Sequence, residues 1–241
     1  METSKQGKVV HSKEREKTAE MFNDIAGSYD FLNHFLSAGI DKSWRRKAIK
    51  LLHEHEPHHI LDIATGTADL AIEALTVKPK SVTGVDIAEK MLAIGREKVK
   101  KLQVEDKITL QQADACNLPF EDNSFDALTV AFGVRNFENL EKGLREMNRV
   151  MKHGGMAVIL EFSNPTAFPM KQFYNFYFRF VLPTVGRLVS KHSSAYQYLP
   201  ETVKAFPDGS KFVTIMEDAG YMQVERHSLT LGVASIYTGI K

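Results

Sequence analysis

Apolar residues recur at helical spacing near the start of the chain and cluster in short runs further along it. Residues 13–27 and 41–55 carry apolar or small side chains three or four positions apart, which predicts two amphipathic helices. Short runs rich in β-branched residues follow, the first at 58–63 and the second, "SVTGVD", at 81–86. The pattern therefore predicts two N-terminal helices followed by a region that contains strands.

Strands and helices are predicted to alternate through the middle of the chain. The predicted strands are 58–63, 81–86, 107–112, 125–132 and 156–162, and the predicted helices between them are 68–76, 88–101 and 137–152. Apolar strands separated by amphipathic helices are typical of a parallel sheet that is covered on both faces. The middle of the sequence predicts such a sheet.

The last third of the chain has a different pattern. Helices are predicted at 168–182 and 208–219, an irregular aromatic segment at 192–206, and two final strands at 221–229 and 233–241. Because the connection Thr230–Val233 is too short for a crossover helix, the final two strands should pair antiparallel. The predicted fold class is therefore α/β, with a seven-stranded, mainly parallel sheet in which one strand is reversed.

Composition narrows the range of partners. The chain has 31 Lys and Arg against 30 Asp and Glu, so no overall field attracts a nucleic acid. No run approaches the roughly 18 apolar residues of a membrane span, and residues 1–17 are charged and lack the apolar core of a signal peptide. The single cysteine, Cys116, excludes an internal disulfide framework. We expect a cytoplasmic protein that binds no nucleic acid and contacts a membrane at most peripherally.

The stretch His59–Ala71, "HILDIATGTADLA", has the pattern of a buried strand, a turn of small residues and the start of a helix. Turns between a strand and a helix commonly receive a nucleotide. Gly66 is the single glycine of this stretch, whereas the dinucleotide fingerprint needs three glycines and the phosphate loop needs two and a lysine. The turn therefore predicts a nucleoside ligand and argues against a pyrophosphate.

Carboxylates follow the first three predicted strands, at the edge where open parallel sheets bind ligands. Asp62 and Gly66 follow the first strand, Asp86 the second and Asp114 the third. Asp86 lies 20 residues after Gly66, the offset at which a carboxylate binds both ribose hydroxyls. Acidic groups without a phosphate cradle suit S-adenosylmethionine, which carries a cationic amine and a sulfonium. Structural alternatives stay open: Asp62 as a loop cap, Asp86 as a helix N-cap and Asp114 in an Asx-turn.

Longer segments resemble those of one known family. They are Tyr29–Ser37 continuing to Trp44, "FGVRNF" at 132–137, Arg149–Ser163 and "YQYLPE" at 196–201. On these segments the whole chain resembles the menaquinone and ubiquinone C-methyltransferase family. It departs from the usual family pattern at Asp41, Ala68, Ala131 and His153, where relatives commonly have histidine, glycine, serine and proline.

The resemblance implies a class I S-adenosylmethionine-dependent methyltransferase with a Rossmann-like fold and added N-terminal helices. It implies methyl transfer to a ring carbon of demethylmenaquinol, which carries a polyprenyl tail, to give menaquinol for menaquinone biosynthesis. A benzoquinol of ubiquinone biosynthesis and another lipophilic acceptor are the alternatives. Family cofactor positions fall on Thr67, Asp86, Asp114 and Ala115. With the strand-end residues, the candidate cofactor set is Asp62, Gly66, Thr67, Asp86, Ile87, Asp114 and Ala115, and no metal site is expected.

Arg135 is the first candidate for a catalytic role, because a guanidinium just after the fourth predicted strand can stabilise the oxyanion of a deprotonated quinol. Its structural alternative is an ion pair with Glu161 at the next strand end. The other candidates for orienting the ring or relaying a proton are Tyr29, Asn136, Tyr196 and Tyr198. Each of these could equally be a packed or capping residue.

We interpret residues 1–241 as one methyltransferase domain. Its parts are an N-terminal helical cap (1–56), a cofactor-binding core (57–162), a substrate-side helical insertion (163–207) and a C-terminal helix and strand pair (208–241). The partners implied are the polyprenylated quinol, the inner face of a membrane and a second copy of the chain. A nicotinamide-dependent dehydrogenase and a noncatalytic scaffold are the rival classes. The missing glycines argue against the first, and the intact aspartates argue against the second.

Overall fold

The computed structural model describes residues 16–27, 29–30, 37, 39–176 and 193–241, with the backbone alone for 175, 193–197 and 199. The helices are α1 (16–27), α2 (Ile40–Lys50), α3 (Asp69–Ala74), α4 (Glu89–Leu102), α5 (Leu140–Val150), α6 (Met170–Phe176), α7 (Ser193–Ala205) and α8 (Ser210–Asp218). The strands are β1 (His59–Ile63), β2 (Ser81–Asp86), β3 (Ile108–Gln112), β4 (Phe125–Ala131), β5 (Met151–Phe162), β6 (Met222–Leu229) and β7 (Ala234–Ile240). Short 3-10 turns lie at His53–His55, Leu75–Val77, Val134–Asn136 and Thr230–Gly232.

The described strands form one seven-stranded sheet in the order β3-β2-β1-β4-β5-β7-β6. The first five strands along the chain pair in parallel, and β7 pairs antiparallel with both β5 and β6. The prediction of a mainly parallel sheet with one reversed strand is confirmed. The strand order changes direction between β1 and β4, and this switch point leaves a crevice at the carboxyl edge.

Helices cover both faces of the sheet, and each face has its own apolar core. On one face, side chains such as Leu144 of α5 and Phe212 of α8 pack against Leu61 and Leu128. On the other face, Trp44 and Ile49 of α2 pack with residues of α3, α4, β1 and β5. This burial on both sides explains why the central strands β1 and β4 and the second half of β5 are largely apolar. Among the described residues, no helix is long and apolar enough to cross a membrane.

The predicted boundary between the helix and the strand near residue 151 is wrong. The helix predicted at 137–152 spans Leu140–Val150, and β5 begins at Met151, ahead of the predicted start at 156. The reason is an irregularity in the strand, since the β4–β5 register shifts between Phe125 and Ala127. Gly154 takes a positive φ of 78° at this shift, which favours glycine and hides the strand from a simple alternation pattern.

The irregular structure predicted for 192–206 is also wrong, because α7 covers Ser193–Ala205. Pro200 lies inside this helix, and an interior proline ordinarily argues against one. Tertiary packing outweighs that preference here, since Val203 and Phe206 are both buried. Of the helix predicted at 168–182, Met170–Phe176 is helical and residues 177–182 lie outside the described part of the chain.

Candidate active site

A cavity of about 460 Å³ lies at the carboxyl edge of the sheet, over the point where the strand order switches. The ends of β1 to β4 form its floor, and residues of α1, α4 and α7 form its walls. Open α/β sheets bind their ligands at this position. The size suits a nucleoside-containing ligand together with part of a second molecule.

The loop after β1 turns sharply beneath this cavity. Ala64, Gly66 and Ala68 all take positive φ values, of 53°, 55° and 68°. Left-handed backbone costs an alanine roughly 1–2 kcal/mol, so surrounding contacts must hold this loop in shape. One such contact is the backbone hydrogen bond from Thr65 N to Val85 O, at 2.9 Å. The loop presents Ala64 and Gly66 to the cavity.

Asp86 lies at the end of β2 and lines the same cavity. Its two carboxylate oxygens accept hydrogen bonds from Gly66 N at 2.8 Å and Ala88 N at 2.9 Å. The alternative role of Asp86 as a helix N-cap is wrong, because α4 begins at Glu89 and its N-cap is Ala88. Burial raises the pKa of this carboxyl, and the backbone amides oppose the shift. A carboxylate has about four lone-pair sites, so these amides leave acceptor capacity for ribose hydroxyls.

The wall after β3 comes from Ala113, Asp114 and Ala115, and Ile87 lines the cavity next to Asp86. Asp114 Oδ1 accepts a hydrogen bond from Cys116 N at 2.8 Å, which is the Asx-turn that the sequence left open. The structure thus brings five of the predicted cofactor residues to one cavity: Gly66, Asp86, Ile87, Asp114 and Ala115.

Asp62 and Thr67 do not line this cavity; both line a separate space of about 30 Å³ behind the Gly66 loop. Asp62 accepts hydrogen bonds from Thr65 Oγ1 at 2.5 Å and Thr129 Oγ1 at 2.7 Å. Burial raises the pKa of Asp62 to about 6, and these hydroxyls oppose the shift. The contacts of Asp62 match its loop-capping alternative. The cofactor-binding roles of Asp62 and Thr67 stay predictions.

Arg135 lines the cavity and also makes the ion pair that was its structural alternative. Its Nη1 donates to Glu161 Oε1 at 2.6 Å and to the carbonyl of Phe132 at 2.6 Å. The two side chains are 7% and 0% exposed, and burial raises the pKa of Glu161 against the opposing charge of Arg135. Arg135 Nε is buried and has no hydrogen-bond partner among the described residues. The guanidinium is therefore held in place through its Nη1.

Three of the four other catalytic candidates lie at this cavity. Tyr29, Asn136 and Tyr198 line it, and Tyr198 Oη donates to Asn136 Oδ1 at 3.0 Å. Burial raises the pKa of Tyr198. Tyr196 falls within α7, but its side chain lies outside the described part of the chain.

Sequence reasoning missed several residues of the walls. Lys17, Thr18 and Phe22 of α1 line the cavity, as does Met91 of α4. The helical spacing of residues 13–27 predicted a helix but not which of its side chains face the cavity, although the polar pair Lys17–Thr18 beside Phe22 was a signal for a ligand-facing surface. Tyr174 of α6 was also missed; it lies within electrostatic reach of Arg135, and burial raises its pKa.

The chain was then compared with known proteins. A profile of the ubiE/COQ5 methyltransferase family matches residues 9–241. The chain belongs to the ubiE/COQ5 methyltransferase family. The demethylmenaquinone methyltransferase of Bacteroides fragilis is 51% identical over 230 residues, which cover 95% of this chain and 94% of the relative. The demethylmenaquinone methyltransferase of Porphyromonas gingivalis is 48% identical, with 94% and 93% covered.

Other matches extend the same result. The ubiquinone/menaquinone biosynthesis C-methyltransferase UbiE of Geotalea daltonii is 47% identical, with 94% of this chain and 97% of the relative covered. The fold is similar to that of an S-adenosylmethionine-dependent methyltransferase from Thermotoga maritima, with a TM-score of 0.64, 19% identity, and 92% and 99% of the two chains covered. The predicted family and methyltransferase fold are therefore confirmed.

The residues of the ubiE/COQ5 methyltransferase site fit S-adenosylmethionine, the cofactor of this class of enzyme. Asp86 retains acceptor capacity for a ribose, and the loop at Gly66 offers no glycine-rich phosphate cradle. The apolar side chains of Ile87 and Met91 suit an adenine ring. The protein is an S-adenosylmethionine-dependent methyltransferase, as the sequence predicted.

Proposed function

We propose that the protein transfers the methyl group of S-adenosylmethionine to a ring carbon of demethylmenaquinol and so forms menaquinol. The observation that carries this reaction is one cavity that holds both a ribose-type carboxylate, Asp86, and the buried guanidinium of Arg135. The choice of a naphthoquinol is supported by relatives named demethylmenaquinone methyltransferase, at 51% and 48% identity over nearly the whole chain.

Two walls of the cavity have separate tasks in this proposal. Asp86 and Gly66 would hold the ribose and the adjoining chain of the cofactor, while Ile87, Asp114 and Ala115 would hold the adenine. When bound, S-adenosylmethionine supplies an electrophilic methyl group on a sulfonium. The side chains of α1 and α7 close the opposite wall and exclude water from the reacting groups.

Arg135 is proposed to stabilise the oxygen of the quinol as it loses its proton. A ring carbon is a weak nucleophile, and deprotonation of the neighbouring hydroxyl raises its electron density. Arg135 lines the cavity while Glu161 and the carbonyl of Phe132 hold its Nη1, so the guanidinium can place its positive charge beside that oxyanion. Such a fixed charge needs no reorganisation during the reaction.

Tyr198 and Asn136 are proposed to orient the quinol ring beside Arg135. Their mutual hydrogen bond fixes the phenol and the amide at the cavity wall. Tyr29 faces the Gly66 loop, where a Cβ on Gly66 would lie 3.9 Å from its ring. These three side chains can define the ring plane and thus hold the acceptor carbon in line with the methyl group.

A benzoquinol is the second candidate acceptor. The relative from Geotalea daltonii, at 47% identity, carries both ubiquinone and menaquinone in its name. The two rings differ in the fused benzene ring of the naphthoquinol, so the same Arg135 chemistry would serve either substrate. The acceptor assay below includes both.

The lipophilic tail of the quinol motivates a further part of the proposal, peripheral contact with a membrane. Phe168, Phe173 and Phe176 are 81%, 66% and 59% exposed on and beside α6. Tyr174 of the same helix is within electrostatic reach of Arg135, so these rings lie near the substrate end of the cavity. Exposed apolar clusters mark interaction sites, and each buried prenyl CH₂ contributes about 0.8 kcal/mol.

Flotation with liposomes tests the membrane contact. The double variant Phe173→Ser/Phe176→Ser should lower the partition coefficient of the protein between water and vesicles by about tenfold, because two aromatic rings that would contact lipid are removed. Leu102→Ser is the matched control, because Leu102 is 53% exposed at the far end of α4. If the wild-type protein fails to float with vesicles that carry the quinol, the membrane proposal is wrong.

The transfer reaction is tested with methyl-labelled S-adenosylmethionine and chemically reduced acceptors of short tail. Label should appear on the ring of demethylmenaquinol, and a demethylated benzoquinol assayed in parallel measures the specificity. Cofactor binding is measured on the same protein by calorimetry. If the cofactor binds but no label reaches either quinol, the methyltransferase fold stands and the proposed acceptor class is wrong.

A further inference from the structure

The helix α1 is a wall of the cavity that comes from outside the sheet domain. Lys17, Thr18 and Phe22 line the cavity from this helix, and Tyr29, which is also helical, lines it as well. The rings of Phe22 and Tyr29 contact each other edge to face, with centroids 6.0 Å apart. Because these side chains lie opposite the strand ends, the position of α1 decides how fully the cavity is enclosed.

One ammonium group ties this wall to the core. Lys98 Nζ lies 2.6 Å from Asp30 Oδ2, 2.6 Å from Asp69 Oδ1 and 2.8 Å from Thr67 Oγ1. The hydroxyl of Thr67 in turn donates to Asp30 Oδ1 at 2.6 Å. We call these four residues, Asp30, Thr67, Asp69 and Lys98, the Lys98 clamp. An ammonium has three donors, and the clamp provides one acceptor for each.

The clamp joins parts of the chain that face the cofactor but lies outside the large cavity itself. Asp30 directly follows the cavity residue Tyr29, and Thr67 directly follows Gly66 of the loop beneath the cofactor. Thr67 is buried, while Lys98, Asp30 and Asp69 are 26%, 31% and 30% exposed. Displacement of α1 would therefore break contacts made to the cofactor loop.

Helix α1 also contacts the core elsewhere. Ala26 and Phe22 pack with Ala88 and Met91, and Asn23 Oδ1 accepts a hydrogen bond from Lys90 N at 2.9 Å. Isolated ion pairs near a surface contribute little, but the clamp is a network around a buried hydroxyl, and Arg45 extends it by binding Asp69 Oδ2 at 2.9 Å. A network of this kind can set the balance between a closed and an open wall.

We propose that Lys98 is a positioning residue that holds α1 closed over the S-adenosylmethionine site, acting through Asp30 and Thr67 without touching the cofactor. The inference rests on the cofactor part of the proposed function and is independent of the acceptor. If the cofactor binds the closed form, loss of the clamp lowers the closed fraction and raises the apparent dissociation constant in proportion.

The test compares Lys98→Met with Arg96→Met. Both residues lie on α4, but Arg96 pairs with Glu89 on the exposed surface and is not part of the clamp. In Lys98→Met we expect the ratio of open to closed wall to rise by about fivefold, so that amide exchange of residues 16–27 without cofactor quickens and the dissociation constant for S-adenosylmethionine rises, each by less than that factor. Arg96→Met should change neither quantity. The KM for the cofactor should rise with kcat at saturation unchanged.

A second variant, Asp30→Ala, removes the partner that follows α1 and leaves the sheet domain intact. Lys98→Met should add almost no further loss of cofactor affinity in the Asp30→Ala background, because the two residues act through one contact. Additive losses, or unchanged exchange of residues 16–27 in Lys98→Met, would overturn the proposal. Both readouts need no quinol, so a failure of the acceptor proposal leaves this test interpretable.

Discussion

Replacement of Arg135 by methionine is expected to lower kcat for quinol methylation by about 10²- to 10³-fold, the usual cost of removing one oxyanion donor. The dissociation constant for S-adenosylmethionine should stay close to the wild-type value, because Asp86 and the wall after β3 hold that ligand in our proposal. We expect this split because Arg135 is proposed to act on the oxygen of the acceptor and not on the ribose of the cofactor. Single-turnover kinetics and calorimetry measure the two quantities separately.

The ion pair with Glu161 makes a control essential. Glu161 is 0% exposed, so Arg135→Met leaves a buried carboxylate without its partner and costs about 3–5 kcal/mol of folding free energy if the carboxylate stays charged. In the double variant Arg135→Met/Glu161→Gln no buried charge is left, and we expect its thermal stability to recover while kcat stays low. Recovery of kcat together with stability would show that Arg135 acts only through the fold. Equal losses in kcat and cofactor affinity would place it at the cofactor instead.

Much of the fold could be predicted because its pattern is local. The parallel sheet follows from the alternation of apolar strands and amphipathic helices, and the reversed β7 follows from the short Thr230–Val233 connection. The strand boundary at Met151 could not be predicted in this way, since the glycines of β5 interrupt the alternation. In α7 the burial of Val203 and Phe206 outweighed the local signal of Pro200.

The site was predictable only where spacing carried the information. Asp86 was found because the distance along the chain from Gly66 to a ribose carboxylate is fixed by the β1–α3–β2 unit. Asp62 could not be separated from it by sequence, although its side chain lies beneath the loop with Thr65 and Thr129. The tertiary arrangement decides which residues at a strand end face the ligand. The pattern of apolar residues in the strand does not contain that information.

Contacts between segments that are far apart in the sequence could not be predicted, for a different reason. Lys98 lies in α4 and Asp30 lies 68 positions earlier in the chain, after residues 16–27 of α1, and in the sequence each has the appearance of an ordinary solvated charge. Their pairing appears only when α1 is laid across α4 and the Gly66 loop. Lys17, Thr18 and Phe22, which help to close the cavity, were therefore missed, whereas the residues that form its floor were largely found.

Replacement of Asp86 by alanine is expected to raise the dissociation constant for S-adenosylmethionine by about 100-fold or more, since hydrogen bonds to a charged group contribute roughly 1.5–3 kcal/mol each and a ribose offers two hydroxyls. The variant also loses the acceptors for Gly66 N and Ala88 N, so the loop and the start of α4 lose a shared anchor. Asp86→Asn keeps one acceptor oxygen and should give an intermediate loss. Titration calorimetry of the three proteins tests this order.

The proposed contact of Asp86 with the ribose can be separated from its hydrogen bonds to Gly66 N and Ala88 N by changing the ligand as well as the protein. The 2′-deoxyribose analogue of S-adenosylmethionine should bind the wild-type protein more weakly, yet lose less than the natural cofactor when Asp86 is replaced by alanine. Asp106→Ala is the control, because Asp106 is exposed ahead of β3 at the opposite edge of the sheet. If both ligands lose the same affinity in Asp86→Ala, Asp86 serves the structure of the Gly66 loop and does not bind the 2′-hydroxyl. In that case the variant should still show a lowered unfolding temperature, because the buried amides of Gly66 and Ala88 lose their acceptor, at about 1–3 kcal/mol for each unsatisfied group.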